Sequence, residues 1–152
     1  MKRVDARRRF LSLLASLPTA LLPLRAARAQ ADPFAPLLRE LTGGAPVTRG
    51  RVTIDTPMLA DNGLSVPLNL SIESAMTAAD HVRSIALFSE KNPRPLIAKF
   101  QLGAAAGRAE VATRVRLNGS QRLLAVAQLS DGSWWSGGAE VVVTESACLD
   151  DS

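Results

Sequence analysis

The sequence predicts an all-β domain: an immunoglobulin-like β-sandwich of about seven short strands, preceded by one short helix and a signal peptide that is cleaved. Three observations predict it. From Arg49 onward, apolar residues recur with a period of two. The apolar runs are separated by Asn-Gly, Asp-Gly and Pro-rich turn sequences. Ahead of them stands a basic segment followed by a short apolar run.

The chain begins MKRVDARRRFLSLLASLPTALLPLRAARAQ. Its apolar run, Leu11 to Leu24, is interrupted by Pro18 and Pro23 and falls short of the roughly 20 residues that cross a bilayer. Ala27-Arg28-Ala29 supplies the small-x-small pattern at which a signal peptidase cuts. Arg7, Arg8, Phe10 and Leu11 fall in an R-R-x-F-L pattern, a twin-arginine signal that sends a folded protein to the bacterial periplasm. An arginine-rich Sec signal is the alternative reading. Residues 1–29 are assigned to the signal, 30–46 to the helix and a linker, 47–144 to the sandwich and 145–152 to a tail.

The helix is expected over Asp32 to Gly44. Asp32 can cap it and Pro33 suits its first position. Phe34, Leu37, Leu38 and Leu41 form one apolar stripe, and Gly43-Gly44 ends it. Two turns do not persist alone in water, so the stripe must pack on something larger or on a partner chain.

Strands are expected at Val52 to Ile54, Val66 to Ile72, Val82 to Phe88, Leu96 to Leu102, Val111 to Leu117, Leu123 to Leu129 and Ala139 to Thr144. Pro67 argues for an edge position or a bulge. Leu123 to Leu129 is apolar at nearly every residue and reads as a central strand. Asn62-Gly63, Asn118-Gly119 and Asp131-Gly132 are expected to form hairpin turns. Asn92-Pro93-Arg94-Pro95 is expected to form an extended crossover.

Charge depends on the leader. Residues 1–29 hold seven Lys/Arg and one acid; of the chain's 18 basic and 14 acidic residues, 11 and 13 remain after cleavage, a net charge of −2. No clustered basic footprint for nucleic acid is expected, and no membrane contact after cleavage.

Side-chain chemistry is sparse. His81 is the single histidine, and no nucleophile elbow accompanies it. Met58, Met76 and His81 could hold a soft metal only if the fold gathered them, so no metal site and no cofactor are expected. Gly103 to Gly107 lacks the Lys-Ser/Thr of a phosphate loop. Trp134 and Trp135 follow a turn and must face opposite sides of a strand, one toward the core and the other a candidate partner contact.

Cys148 is the single cysteine, four residues after Thr144. In an oxidising compartment an odd cysteine is buried, paired with another chain, or a thiol with a task. Glu145, Asp150 and Asp151 favour a solvated position and also disfavour the thiolate. The pattern suits a handle that partner enzymes modify.

The stretches DNGLSVPLNLSIESAMTAADHVRSIALFSEKNPRPLIAKFQLG, VATRVRLNGSQRLLAVAQLSDGSWW and AEVVVT, in this order and spacing, resemble the SoxY family, the substrate-carrying subunits of the bacterial thiosulfate-oxidising (Sox) system. The resemblance implies an immunoglobulin-like sandwich paired with a SoxZ-like chain, itself not an enzyme. It implies a C-terminal cysteine that carries sulfur intermediates among periplasmic partner enzymes: a haem protein, a hydrolase and a sulfane dehydrogenase. Carried over by position, that cysteine is Cys148. The family's arm reads Gly-Gly-Cys-Gly-Gly; here Ser146 and Ala147 precede the cysteine, and Leu149 and Asp150 follow it. Glycine gives an arm a thin profile and free backbone torsions, whereas Leu149 adds bulk and Asp150 adds charge. Two alternatives stand beside the carrier: an accessory module that keeps the fold without the carriage, and a homodimer stapled through Cys148.

Overall fold

The structure, a computed structural model, describes residues 31–145. The elements run α1 (Ala35–Thr42), β1 (Val47–Arg49), β2 (Val52–Asp55), β3 (Leu59–Asn62), β4 (Val66–Ile72), β5 (Val82–Ser89), β6 (Leu96–Gln101), β7 (Glu110–Val115), β8 (Gln121–Leu129) and β9 (Trp134–Glu145), with one 3₁₀ turn at Ala104–Ala106. The strands form two sheets. The larger has the order β1-β9-β8-β5-β6, with β3 also on β9; the smaller is β2-β4-β7. This is the predicted all-β sandwich with a short helix before it.

Period-two patterning builds the layers. In β4, Val66, Leu68, Leu70 and Ile72 are buried while Pro67, Asn69 and Ser71 are exposed. In β8, Leu123, Ala125 and Ala127 pack toward the small sheet in the main core. The intervening Leu124 and Val126 pack on the opposite face with Ala86, Phe88 and Trp134. That second face receives the helical stripe Phe34, Leu37, Leu38 and Leu41. Residues 31–145 therefore form three layers, helix, large sheet and small sheet, and β8 is apolar on both faces because both are covered. Phe34, 3% exposed, contributes about 2 kcal/mol to docking the helix.

Several local expectations change. The helix starts at Ala35, two residues later than Pro33, with Pro36 in its first turn. Asp32 turns the chain into it: Oδ1 accepts the Phe34 N–H at 3.2 Å and the carbonyl accepts the Ala35 N–H at 3.0 Å. Pro67 lies in the middle strand of its sheet rather than at an edge or bulge. Pairing with β2 ends at Asp55↔Asn69, so no backbone N–H is required of Pro67 on that side; its carbonyl accepts the Thr56 hydroxyl at 2.9 Å.

Asp131-Gly132 makes the expected β8–β9 hairpin, with Gly132 at φ 86° and the Ser133 N–H on Asp131 Oδ1 at 2.8 Å. Asn118-Gly119 instead joins β7 to β8 across the two sheets, and Asn62-Gly63 joins β3 to β4 in the same manner. Asn92 to Pro95 is a hairpin loop, not a crossover, because β5 and β6 are adjacent and antiparallel; the Ser89 N–H closes it on the Pro95 carbonyl at 2.8 Å.

Arg122 fastens the helical layer to the sheet. Its guanidinium reaches both Glu90 oxygens at 3.3 Å, lies 3.7 Å from Asp32 Oδ1, and stands over the Phe34 ring at 5.5 Å. The Arg122 side-chain hydrogen bonds hold the Glu90 carboxyl below its ordinary value of 4.5. A depressed folded-state pKa stabilises the protein above the unfolded value, and that stabilisation is lost as pH falls through the folded one. Glu90→Gln is therefore expected to flatten the decline in stability below about pH 4.5. Urea midpoints measured across that range check it; an unchanged acid limb contradicts it.

Candidate functional site

The distinctive end of the molecule is the one where β9 stops. Its last residues are held on both sides. On one side β3 runs parallel to it, Leu59↔Val142 through Asn62↔Glu145. The Thr144 hydroxyl donates to the Asp61 carbonyl, and the Gly63 N–H donates to the Glu145 carbonyl at 2.7 Å. On the other side Ser120, just before β8 begins, extends the pairing: Oγ accepts the Val143 N–H at 2.9 Å and donates to the Val143 carbonyl at 3.3 Å. The root of the tail is thus fixed in position. Cys148 follows Glu145 by three residues in the sequence and lies outside the described residues, as do Arg7, Arg8, Phe10 and Leu11.

Two loops at this end are locked together by amide side chains. Gln121, 5% exposed, accepts the Lys91 N–H at 2.9 Å and donates to Asn92 Oδ1 at 3.0 Å and to the Gly119 carbonyl at 3.3 Å. Asn92 accepts the Asn118 N–H at 2.9 Å and donates to the Arg116 carbonyl at 2.8 Å. The network satisfies buried polar groups that the strand ladders leave over. Lys91, Arg94, Arg114 and Arg116 project from the same loops and strand ends, all exposed. The Arg114 guanidinium donates to Ser65, at 2.6 Å to the hydroxyl and 3.1 Å to the carbonyl.

The tryptophans lie at the other end of β9, about 35 Å away along a twelve-residue strand. They face opposite sides, and both are half-buried. Trp134 packs with the helical layer. Trp135 packs on the main core, takes Arg51 over its ring at 4.9 Å, and donates its indole N–H to Ser133 Oγ at 3.0 Å. Both tryptophans thus have intramolecular partners.

The three soft-ligand candidates are not brought together. Met58 is 82% exposed beside the C-terminal half of β9, where its carbonyl accepts the Val142 N–H at 2.8 Å. Met76 is buried, with the Val82 N–H 3.5 Å from its sulfur. His81 sits at the β8–β9 hairpin end, its N–H on Ser130 Oγ at 3.1 Å and Nδ1 3.1 Å from the Thr77 carbonyl. Among the described residues, no group of three or more His, Cys, Asp or Glu is placed to hold a metal ion. Among them, too, no helix is long and apolar enough to cross a membrane.

A concavity of about 460 Å³ runs between α1 and β9 and is lined by Leu38, Val47, Arg49, Arg122, Gly138 and Glu140, among others. Of the two arginines that line it, Arg122 is engaged by Glu90 and Asp32. It reads as the seam beneath the docked helix.

Fold and sequence together define a class: a small two-sheet sandwich whose single cysteine follows its last described strand in the sequence. The chain belongs to the family of sulfur oxidation protein SoxY, whose profile matches residues 38–148. Among solved structures it is similar to the sulfur carrier protein SoxY from Chlorobium limicola f thiosulfatophilum, with 25% identity, a TM-score of 0.63, and coverage of 76% of this chain and 99% of that one. Superoxide reductases share the fold alone. The one from Ignicoccus hospitalis (neelaredoxin) has 18% identity, a TM-score of 0.55, and coverage of 62% of this chain and 80% of that one. The one from Nanoarchaeum equitans has 12% identity, a TM-score of 0.53, and coverage of 63% and 100%. The chain matches no curated protein.

The sequence motifs alone did not single out Gln121 and Asn92. Asn92 stands out in the sequence only for its Pro neighbour, and Gln121 lies just outside an apolar run. A glutamine at the inward phase of a buried strand was the signal available.

Proposed function

We propose that this protein is a periplasmic sulfur carrier, not an enzyme, that holds sulfur intermediates covalently on Cys148 and presents them to partner enzymes. The observation that carries the reading is the extent of the family match, which runs to residue 148, the single cysteine of the chain. The similarity to a sulfur carrier protein over 99% of that protein's length supports it. So does the fixed root at Glu145, which would give the arm a defined origin.

The proposed loading step joins thiosulfate to the thiol. The Cys148 Sγ–H bond is lost, a sulfur–sulfur bond forms to the terminal sulfur of thiosulfate, one proton leaves, and two electrons pass to a haem-protein partner. Water then attacks the sulfonate sulfur in a hydrolase, releasing sulfate and leaving a persulfide on Cys148. The carrier supplies no catalytic group to either step. A SoxZ-like sandwich is the proposed obligate partner, exported with it by the twin-arginine route that Arg7 and Arg8 specify.

Mass spectrometry of the protein, paired with its SoxZ-like chain and treated with thiosulfate and the oxidising haem enzyme, tests the reading. An adduct confined to the peptide bearing Cys148, absent in Cys148→Ser, is expected. No adduct on Cys148 overturns it.

A second reading rests on the arm itself. Ser146, Ala147, Leu149 and Asp150 replace glycines, which favours an accessory module that kept the body and lost the carriage. Thiosulfate-dependent growth separates the two: it fails in Cys148→Ser for a carrier and persists for an accessory module.

A further inference from the structure

We propose that the surface around the end of β9, an exposed apolar patch flanked by four cations, is the docking face for a partner enzyme whose own contact surface is anionic. The inference rests on the carrier reading above and adds to it the place and the chemistry of the contact.

Chain length fixes the place. Cys148 follows Glu145 by three residues, a reach of about 10 Å at most from that fixed root. An enzyme that acts on the thiol must therefore cover this end of the sandwich. Apolar side chains stand open there. Leu59 and Val142 are partners across β3 and β9 and are 61% and 52% exposed, with Met58 beside them. The next pair, Ala60 and Val143, turns inward to the main core, so Leu59 and Val142 lie on the outer face of the large sheet. The helical stripe packs elsewhere on that face, with Val47, Leu124 and Trp134, and leaves this patch uncovered.

The cations lie beside the patch. A shallow concavity of about 380 Å³ separates Val142 from Lys91, with Ser120 and Gln121 in its wall. Asn92 holds the Arg116 carbonyl, which sets Lys91 and Arg94 alongside Arg116. Arg114 meets only neutral Ser65 oxygens and adds a fourth positive charge. Among the described residues, the ion pairs are Arg108–Glu110, Arg122–Asp32 and Arg122–Glu90, and none uses these four. Residues 30–152 hold 11 basic and 13 acidic side chains, so a net-negative chain gathers four of its cations at one end. The acids nearby are otherwise placed: Glu90 and Glu140 neighbour Arg122, while Asp61 and Glu145 lie on the β3 and β9 side. An apolar centre with a charged border suits a transient protein contact. Cations without local counter-charges select a partner of opposite sign and speed its approach, and salt weakens both effects.

The experiment titrates the full mature chain, carrying Cys148→Ser, with the oxidising haem enzyme and follows backbone amide spectra. The serine removes the covalent step, so the readout is binding alone. Amides of residues 91–94, 114–117 and 142–145 are expected to respond. Affinity is expected to fall about tenfold or more between about 0.05 M and about 0.5 M salt, and by a similar factor in Lys91→Glu/Arg94→Glu/Arg116→Glu. Arg83→Glu/Lys99→Glu/Arg108→Glu makes the same change in net charge away from this surface and is expected to keep affinity within about twofold. The same spectra report whether each variant is folded. No binding, responses confined to other residues, or affinity indifferent to salt and to the first reversal overturns the proposal. Responses at these amides on adding the SoxZ-like chain alone, or on raising the protein's own concentration, assign the surface to that chain or to a second copy and overturn it too. Binding here with no adduct on Cys148 in the loading assay removes carriage and leaves the docking face. An adduct formed while these amides stay unchanged does the reverse.

Discussion

Gly137→Ala is expected to lower stability by about 3 kcal/mol or more, or to prevent folding. At Gly137 β2 passes so close to β9 that a Cβ would stand 1.9 Å from the Val52 carbonyl oxygen and 2.8 Å from its carbon. Both obstacles are backbone, so no side-chain rotation relieves them. The space cannot open without moving β2, whose Val52 belongs to the main core and whose strand pairs Ile72 to Asn69. Gly138 is the internal control, because a Cβ there meets only the Leu123 carbonyl at 3.2 Å. Urea unfolding of the two variants checks the contrast. Equal midpoints for Gly137→Ala and wild type would mean that β2 yields more easily than its packing implies.

Gln121→Leu is the second large effect, expected at about 2–5 kcal/mol. Leucine keeps most of the volume at a nearly buried site but leaves the Lys91 N–H, Asn92 Oδ1 and the Gly119 carbonyl without their present partner. Asn92 retains the Asn118 N–H and the Arg116 carbonyl, so the loops loosen and do not detach. Thermal unfolding gives the magnitude. Hydrogen exchange at Lys91 and Asn118 locates it, with faster exchange expected there and unchanged exchange in β4. A loss spread evenly over both sheets would assign Gln121 to general core packing instead.

Features set by neighbouring residues are legible in the sequence. The stripe Phe34, Leu37, Leu38, Leu41 gave the helix and required it to dock; the two-sided apolarity of Leu123 to Leu129 gave a central strand. Asp131-Gly132 gave a true hairpin because its chemistry and its partner strands are all local. Features set by distant residues were not legible. Val47–Arg49 and Leu59–Asn62 bury little and show no alternation, and they are strands only because β9 offers its edge to them in parallel. Asn-Gly says that the chain turns, not which sheet it enters next, so two expected hairpins became crossings between sheets. The same limit reversed the reading of Asn92 to Pro95. Two adjacent glycines, Gly137 and Gly138, look alike in sequence, and only the approach of β2 distinguishes them. At the candidate site, Cys148 is legible because it is the single cysteine of the chain, whereas the amide network of Gln121 and Asn92 depends on loops distant in sequence.

The position of β9 also bears on the order of events in the cell. This strand pairs with β8, β1 and β3, so every partner precedes it along the chain. While the ribosome is still making it, the large sheet lacks the member that joins its two halves, and those contacts span most of the sequence. Such nonlocal pairing forms late and slowly. A body closed by its last strand can complete its fold only after nearly all of it has been synthesised. Under the twin-arginine export proposed above, passage through a translocase that accepts folded cargo would be a checkpoint on the finished C-terminal strand, the one that leads in sequence to Cys148.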